Sequence, residues 1–255
     1  MRVIIFDTET IGKVSQDLIN IGYKIIDIDI QKNYYETLCE RDYLVTNLIN
    51  NVVYCINDDF VGTEKYKKFL YAIETKTAIK RSVKQIFTTM KNDIKKYGVL
   101  FGYAYNCDFD IDKFEKTSLK MGLENPLKDL KIFDIWAYAY QYICATEEYQ
   151  SWCKLFEVYT PSELYLPTSV EGVCKYLYEI PSFEEEHTAL SDVQHETFIL
   201  MECVKRGCDI TRNLPKAKKI KSDKVFNKTI VLPNGQELEI EYKGVYEKNN
   251  KITYK

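Results

Sequence analysis

Apolar residues fall in short strand-like runs early in the chain and at helical spacings later. Val3-Ile4-Ile5-Phe6 is an unbroken run of β-branched and aromatic residues and reads as a strand buried on both faces. From Leu18 to Ile30 polar and apolar positions alternate, which places Ile19, Ile21, Tyr23 and Ile25 on one face. Asn33 to Cys39 supplies a third short strand, and connections this short favour an antiparallel meander. Between Glu40 and Tyr97 there is no proline and only Gly62, so this section predicts several helices with a break near Asp58 to Gly62.

Val99 to Tyr105 is a further apolar strand, followed by a helix from about Asp110 to Met121 that Gly122 stops. Phe109 and Phe114 read as its core anchors. Lys131 to Asp134 is the fifth strand and leads into a helix carrying Trp136, Tyr138, Tyr140 and Tyr142. Those tyrosines read as aromatic core packing, with base stacking as the alternative. After the Leu155 to Pro167 loop, Thr168-Ser169-Val170-Glu171 has capping-box spacing and starts a helix that ends near Tyr178. Pro181 to His187 is a loop. Leu190, Val193, Thr197, Met201 and Val204 then mark a last core helix ending near Gly207. The pattern predicts an α/β fold, a mixed five-stranded sheet flanked by helices.

Beyond Leu214 the character changes. Lys216, Lys218, Lys219, Lys221 and Lys224 lead to two alternating runs, Lys228–Leu232 and Glu237–Tyr242, joined through Pro233-Asn234-Gly235. Asn-Gly between such runs signals a hairpin, so a small C-terminal β appendage is expected, with a third strand near Val245 or Ile252. The expected division is residues 1–210 as one domain, with a helical insertion over about 40–97, and 211–255 as basic linker and hairpin tail.

Composition narrows the class. With 255 residues and 45% hydrophobic content the chain is an ordinary globular protein, and no apolar run is long enough for a membrane helix. Eight cysteines without a Cys-x-x-Cys pair, beside two histidines, argue against a zinc site and for free thiols in a reducing, cytoplasmic setting. The net charge of −3 divides unevenly: Pro215 to Lys255 holds ten lysines against five acids, which leaves −8 on residues 1–214. An acidic body with a basic tail suits a metal-loaded domain that acts on an anion.

The first strand runs directly into Asp7-Thr8-Glu9-Thr10. Asp7 and Glu9 leave the same face about 7 Å apart, and neighbouring carboxylates repel unless a cation lies between them. Oxygen ligands of this kind suit Mg²⁺ or Mn²⁺. Past the strand ending at Tyr105, three further acids offer themselves: Asp108, Asp110 and Asp112. The third cluster is His187 with Asp192. Residues five apart on a helix sit about 140° from each other, so these two converge only if His187 lies in the loop ahead of the helix. A histidine beside a metal pair can serve as general base. Glu196, one turn after Asp192, reads as a solvent-facing acid, with support of the site as the alternative. His195 reads as structural or exposed.

Taken together, and in this order, these clusters resemble the DEDDh (DnaQ-like) 3′→5′ exonucleases of the ribonuclease H-like superfamily, over roughly residues 1–207. Asp7 and Glu9 in Phe-Asp-Thr-Glu-Thr match the first motif. Asn106 to Asp110 matches Asn-x-x-Phe-Asp and selects Asp110, and His187 with Asp192 matches the third motif. Thr188 excludes the tyrosine variant of that third motif. Here Thr10-Ile11-Gly12 stands where many members have Thr-Thr-Gly, and the tail has no counterpart.

The resemblance implies that Asp7, Glu9, Asp110 and Asp192 hold two Mg²⁺ or Mn²⁺ ions and that His187 is the general base. It also implies that Thr8, Thr10, Ile11, Gly12 and Asn106 contact the terminal nucleotide. The substrate would be the 3′ end of single-stranded DNA or RNA, and the product a nucleoside 5′-monophosphate. Two other classes stay open. One is a non-catalytic module docking on a replication or repair partner. The other is a phosphoesterase restricted to very short oligonucleotides.

Overall fold

The computed structural model describes residues 1–10, 18–46, 67, 71–72, 74–75, 77–231, 237–243, 246–248 and 251–253, from residue 225 onward by backbone only. Nine residues of the first strand, β1 (Arg2–Thr10), pair antiparallel with β2 (Leu18–Asp29), which pairs antiparallel with β3 (Tyr34–Thr46). This is the expected meander. The sheet continues through β4 (Ile79–Ser82), parallel to β3, and on the other side through β5 (Phe101–Ala104) and β6 (Lys131–Asp134). Its order is β4-β3-β2-β1-β5-β6, so the mixed sheet has six strands where five were expected.

The extra strand corrects part of the reading of residues 40–97. Glu40 to Thr46 prolongs β3, and Ile79 to Ser82 forms β4; among the described residues Lys67, Tyr71, Ala72 and Glu74 are helical and helix α1 spans Val83–Tyr97, as expected. Glu40-Arg41-Asp42 interrupts the apolar pattern and hides the strand, whose buried end is Tyr43-Leu44-Val45-Thr46. Pairing along a whole neighbouring strand outweighs that local polarity. The expected break at Asp58 to Gly62 lies outside the described residues.

Helix α1 opens on a Ser82–Gln85 capping box and closes at left-handed Gly98. Next come α2 (Asp108–Met121), ended by Gly122 as expected, and α3 (Ile135–Ala139), continued by a π-helical turn over Tyr140–Cys144. They are followed by α4 (Glu147–Leu155), α5 (Val170–Leu177) and α6 (Ala189–Lys205). At α5 the capping register is one residue later than predicted. Ser169 Oγ accepts from the Gly172 N–H, and Glu171 pairs with Lys175 instead of closing a box.

Helices cover both faces. Ile4, Phe6, Ile21, Tyr23 and Ile25 form one core with Ile86, Phe87 and Met90 of α1 and Phe114 of α2. Val3, Ile5, Ile26 and Ile28 form the other with Tyr138 and with Val193, Ile199 and Leu200 of α6. Burial on both sides is why β2 shows little exposed polarity. Phe109, expected in the core, is 42% exposed with Lys113 over its ring; it precedes the turn that buries Asp110. Tyr138 is buried and hydrogen bonds to the carbonyls of Ile210 and Arg212, in line with a core role.

The basic segment lies against the body. β8 (Ile220–Lys221) pairs with β7 (Tyr165–Leu166), Ser222 is buried, and Lys216 pairs with Asp108. Beyond it β9 (Val225–Val231) and β10 (Glu237–Lys243) form the expected hairpin ladder; its turn lies outside the described residues. β11 (Tyr246–Lys248) and β12 (Lys251–Thr253) form a separate pair instead of a third strand. Seven described cysteines are free and buried, and Cys55 lies outside the described residues. Among the described residues no helix is long and apolar enough to cross a membrane.

Candidate active site

β1 is parallel to β5, and their carboxyl ends open on the same edge of the sheet. Asp7 and Glu9 continue the row of Val3 and Ile5, so they leave the face covered by α6. Helix α6 brings Asp192 to them. Asp7, Glu9 and Asp192 each place one carboxylate oxygen within 4.8 Å of the other two.

Two features of β2 allow this approach. Gly22 stands opposite Asp7 in the ladder, and a Cβ at Gly22 would overlap the backbone of Ala189 and Leu190. Asn20 stands opposite Glu9, and its Oδ1 accepts the Ala189 N–H at 2.7 Å. Thr188, the N-cap of α6, makes no side-chain capping bond, so a residue of the sheet caps the helix instead. The Asn20 amide is fixed in turn by Asp42 Oδ1 at 2.6 Å and the Tyr43 carbonyl at 3.0 Å.

Asp110 arrives from the opposite face. Of the three acids near the start of α2, Asp108 is exposed and bound to Lys216, and Asp112 pairs with Lys113 and Lys116. Asp110 is 2% exposed, and its Oδ1 accepts both the Thr8 N–H at 2.9 Å and the Thr8 hydroxyl at 2.7 Å. The turn that delivers it has Asn106 in a left-handed conformation. The Asn106 N–H donates to Asp134 Oδ1, which also caps α3 through the Trp136 N–H.

The electrostatics are those of crowded acids. Burial raises the Asp7 carboxyl well above the usual range, and the charges of Asp110, Glu196, Asp192 and Glu9 add to it. Burial pushes Asp110 up to about 7, against the pull of its Thr8 hydrogen bonds. Glu196, expected to face solvent, is 2% exposed and is raised well above the usual range by burial and by Asp110 and Asp192. Its i+4 relation to Asp192 was the available signal. The helix turns that face inward under the sheet edge, and sequence periodicity does not show that edge. Glu185 was hidden in a run of three glutamates. Burial, Glu171 and Glu9 push it up to about 7.

His187 sits in the loop just ahead of α6 with φ 54°, the position the spacing demands if it is to converge with Asp192. It is exposed, its Nδ1 is 3.9 Å from Glu185 Oε2, and it groups with Glu171 and Glu185 instead of with the central acids. The Thr8 side chain is buried and committed to Asp110, Thr10 is half-buried and Asn106 exposed; Ile11 and Gly12 lie outside the described residues. His195 is structural. Its Nδ1 is 2.9 Å from the Tyr178 hydroxyl, and its ring packs on Tyr178 and Phe183.

The donor set fits a hard divalent cation. It is all carboxylate, it converges, and two of its buried oxygens, Asp7 Oδ2 and Glu196 Oε2, have no hydrogen-bond partner. Such oxygens are costly unless a cation satisfies them.

No protein-family model matches the chain, and no curated protein matches it. Among solved structures it is similar to one described as the crystal structure of full-length 3′-exonuclease. The TM-score is 0.54 at 10% identity, over 99% of this chain and 93% of that one. At that identity the likeness is one of fold, a mixed six-stranded sheet flanked by helices.

Proposed function

We propose that this protein is a metal-dependent 3′→5′ exonuclease of the DEDDh kind. The observation that carries the reading is the convergence of Asp7, Glu9 and Asp192 within 4.8 Å, with Asp110 buried behind them. The fold likeness to a 3′-exonuclease supports it. When bound, two Mg²⁺ or Mn²⁺ ions would supply an activated water and neutralise charge at the scissile phosphate.

The remaining steps belong to the chain. Asp7, Glu9, Asp110 and Asp192 would hold the ions, and Thr8 orients Asp110 through two hydrogen bonds. His187 takes the proton of the attacking water, with Glu185 beside its Nδ1 to orient the ring. Attack on phosphorus breaks the bond to the 3′ oxygen and releases a nucleoside 5′-monophosphate. Thr10, Ile11, Gly12 and Asn106 border the terminal nucleotide of a single-stranded DNA or RNA 3′ end. Residues 1–210 form the catalytic unit, and the basic segment of 211–255 adds grip on phosphates or docks a replication or repair partner.

The test is digestion of 5′-labelled single-stranded DNA and RNA of graded length with Mg²⁺ or Mn²⁺, comparing wild type with Asp7→Ala. A ladder shortening from the 3′ end, lost in the variant, is expected. Cleavage confined to the shortest lengths would replace this reading with an oligonucleotide phosphoesterase. Metal-dependent cleavage of neither polymer would end it.

A further inference from the structure

We propose that Glu196 is a fifth acid of the metal centre. The inference rests on the metal-dependent reading above and deepens it.

Glu196 lies one helical turn after Asp192 on α6, so both side chains leave the same side of the helix. It is 2% exposed, among the most buried acids of the described chain. The Tyr105 backbone N–H donates to its carboxylate, and its Oε2 has no hydrogen-bond partner. The backbone bond therefore fixes one oxygen and leaves the other free for a ligand. The charges acting on it are those of Asp110 and Asp192 and, more weakly, Glu185, and Glu196 in turn raises the Asp7 carboxyl. Glu196 is thus set close enough to these acids for their charges to act on one another.

A side chain that served only packing would not need this chemistry. Glutamine or methionine would fill a similar volume without adding a carboxylate charge that acts on Asp7 and feels Asp110 and Asp192. A buried acid with one oxygen satisfied and the other unsatisfied, beside three more acids, is accounted for by a cation that shares them. Four acids plus histidine then understate the donor set of this chain.

The experiment uses the full chain stripped of metal, with Mn²⁺ titrated by calorimetry and by thermal unfolding, for wild type, Glu196→Gln, Glu196→Met and Asp7→Asn. Glu196→Gln, which keeps an acceptor for the Tyr105 N–H, is expected to melt higher than wild type without metal. Both Glu196 variants are expected to bind Mn²⁺ about 10-fold or more weakly and to gain less melting temperature from it. Wild-type affinity and stoichiometry in both variants would overturn the inference while leaving the exonuclease reading in place. Metal-free melting below wild type in Glu196→Gln would assign the carboxylate to the fold and overturn it equally. If wild type and Asp7→Asn are alike indifferent to Mn²⁺, the underlying metal reading fails, and the inference with it.

Discussion

Gly22 stands directly opposite Asp7 across the β1–β2 ladder, and the volume a side chain would occupy there is filled by the backbone of Ala189 and Leu190. The missing Cβ lets the first turn of α6 settle onto the sheet at the height of Asp7, and Asp192 follows within that turn. Glycine is needed here for close approach, since its backbone is ordinary β-strand. Gly22→Ala should force α6 outward. The expected cost is about 1–3 kcal/mol in chemical denaturation, typical of overpacking. A larger proportional loss of Mn²⁺ affinity should accompany it, because Asp192 moves away from Asp7. An alanine variant with wild-type stability and metal affinity would refute the packing argument.

Asn20→Ala removes the cap of α6. The Ala189 N–H and the Tyr43 carbonyl both lose their side-chain partner inside the protein. Destabilisation of about 1–3 kcal/mol is expected for groups left unsatisfied. Hydrogen exchange should accelerate at Ala189 more than at the middle of the helix, and uniform exchange along α6 would argue against a capping role.

Metal removal should soften the wild-type protein. A cation held at 100 times its dissociation constant contributes about 2.7 kcal/mol. Chelation should therefore lower the melting temperature by about 5–10 °C for a chain of this size. Asp7→Asn should lose most of that response and melt above the chelated wild type, since one member of the acid cluster no longer repels the rest. A chelated wild type that melts unchanged would contradict this.

Asp42 offers a pH test away from the central acids. Burial pushes its carboxyl up to about 6, with the Asn20 hydrogen bond opposing. A carboxylate raised in the folded state leaves stability intact at pH 4 and below. That stability is lost as pH rises through about 6, because the unfolded chain ionises more readily. Asp42→Asn should therefore match wild type near pH 4 and exceed it near pH 8, by on the order of 2 kcal/mol. Equal stabilities at pH 8 would show that Asp42 ionises without penalty.

Lys218 and Lys221 are exposed in the segment that Lys216 ties to Asp108, two residues before Asp110. If this segment grips phosphates, changing both to alanine should flatten the salt dependence of single-strand binding. About 0.7 of the slope should go for each lysine. An unchanged slope would make the segment a strap and not a nucleic-acid contact.

The convergence of Asp192 with the pair on β1 and the loop position of His187 were legible in the sequence because each depends on local order. Alternation along one strand sends Asp7 and Glu9 to one face. The angle between helical positions puts His187 in the loop before α6 if it is to approach Asp192; it does lie in that loop, with φ 54°, but groups with Glu171 and Glu185. Gly122 ended its helix, and Lys131 to Asp134 formed its strand, for the same local reason. The sixth strand, the burial of Glu196 and the solvent exposure of Phe109 were decided by tertiary structure. β4 exists because β3 offers it an edge, although Ile79-Lys80-Arg81-Ser82 has no strand pattern of its own. Glu196 is buried because α6 crosses the sheet where β1 ends, and Gly22 and Asn20 set that crossing from a strand 169 positions away from Ala189 in the case of Asn20. Short-range periodicity carries the direction of a side chain relative to its own element. Which element lies in that direction depends on contacts between distant segments, and only the packed chain contains those.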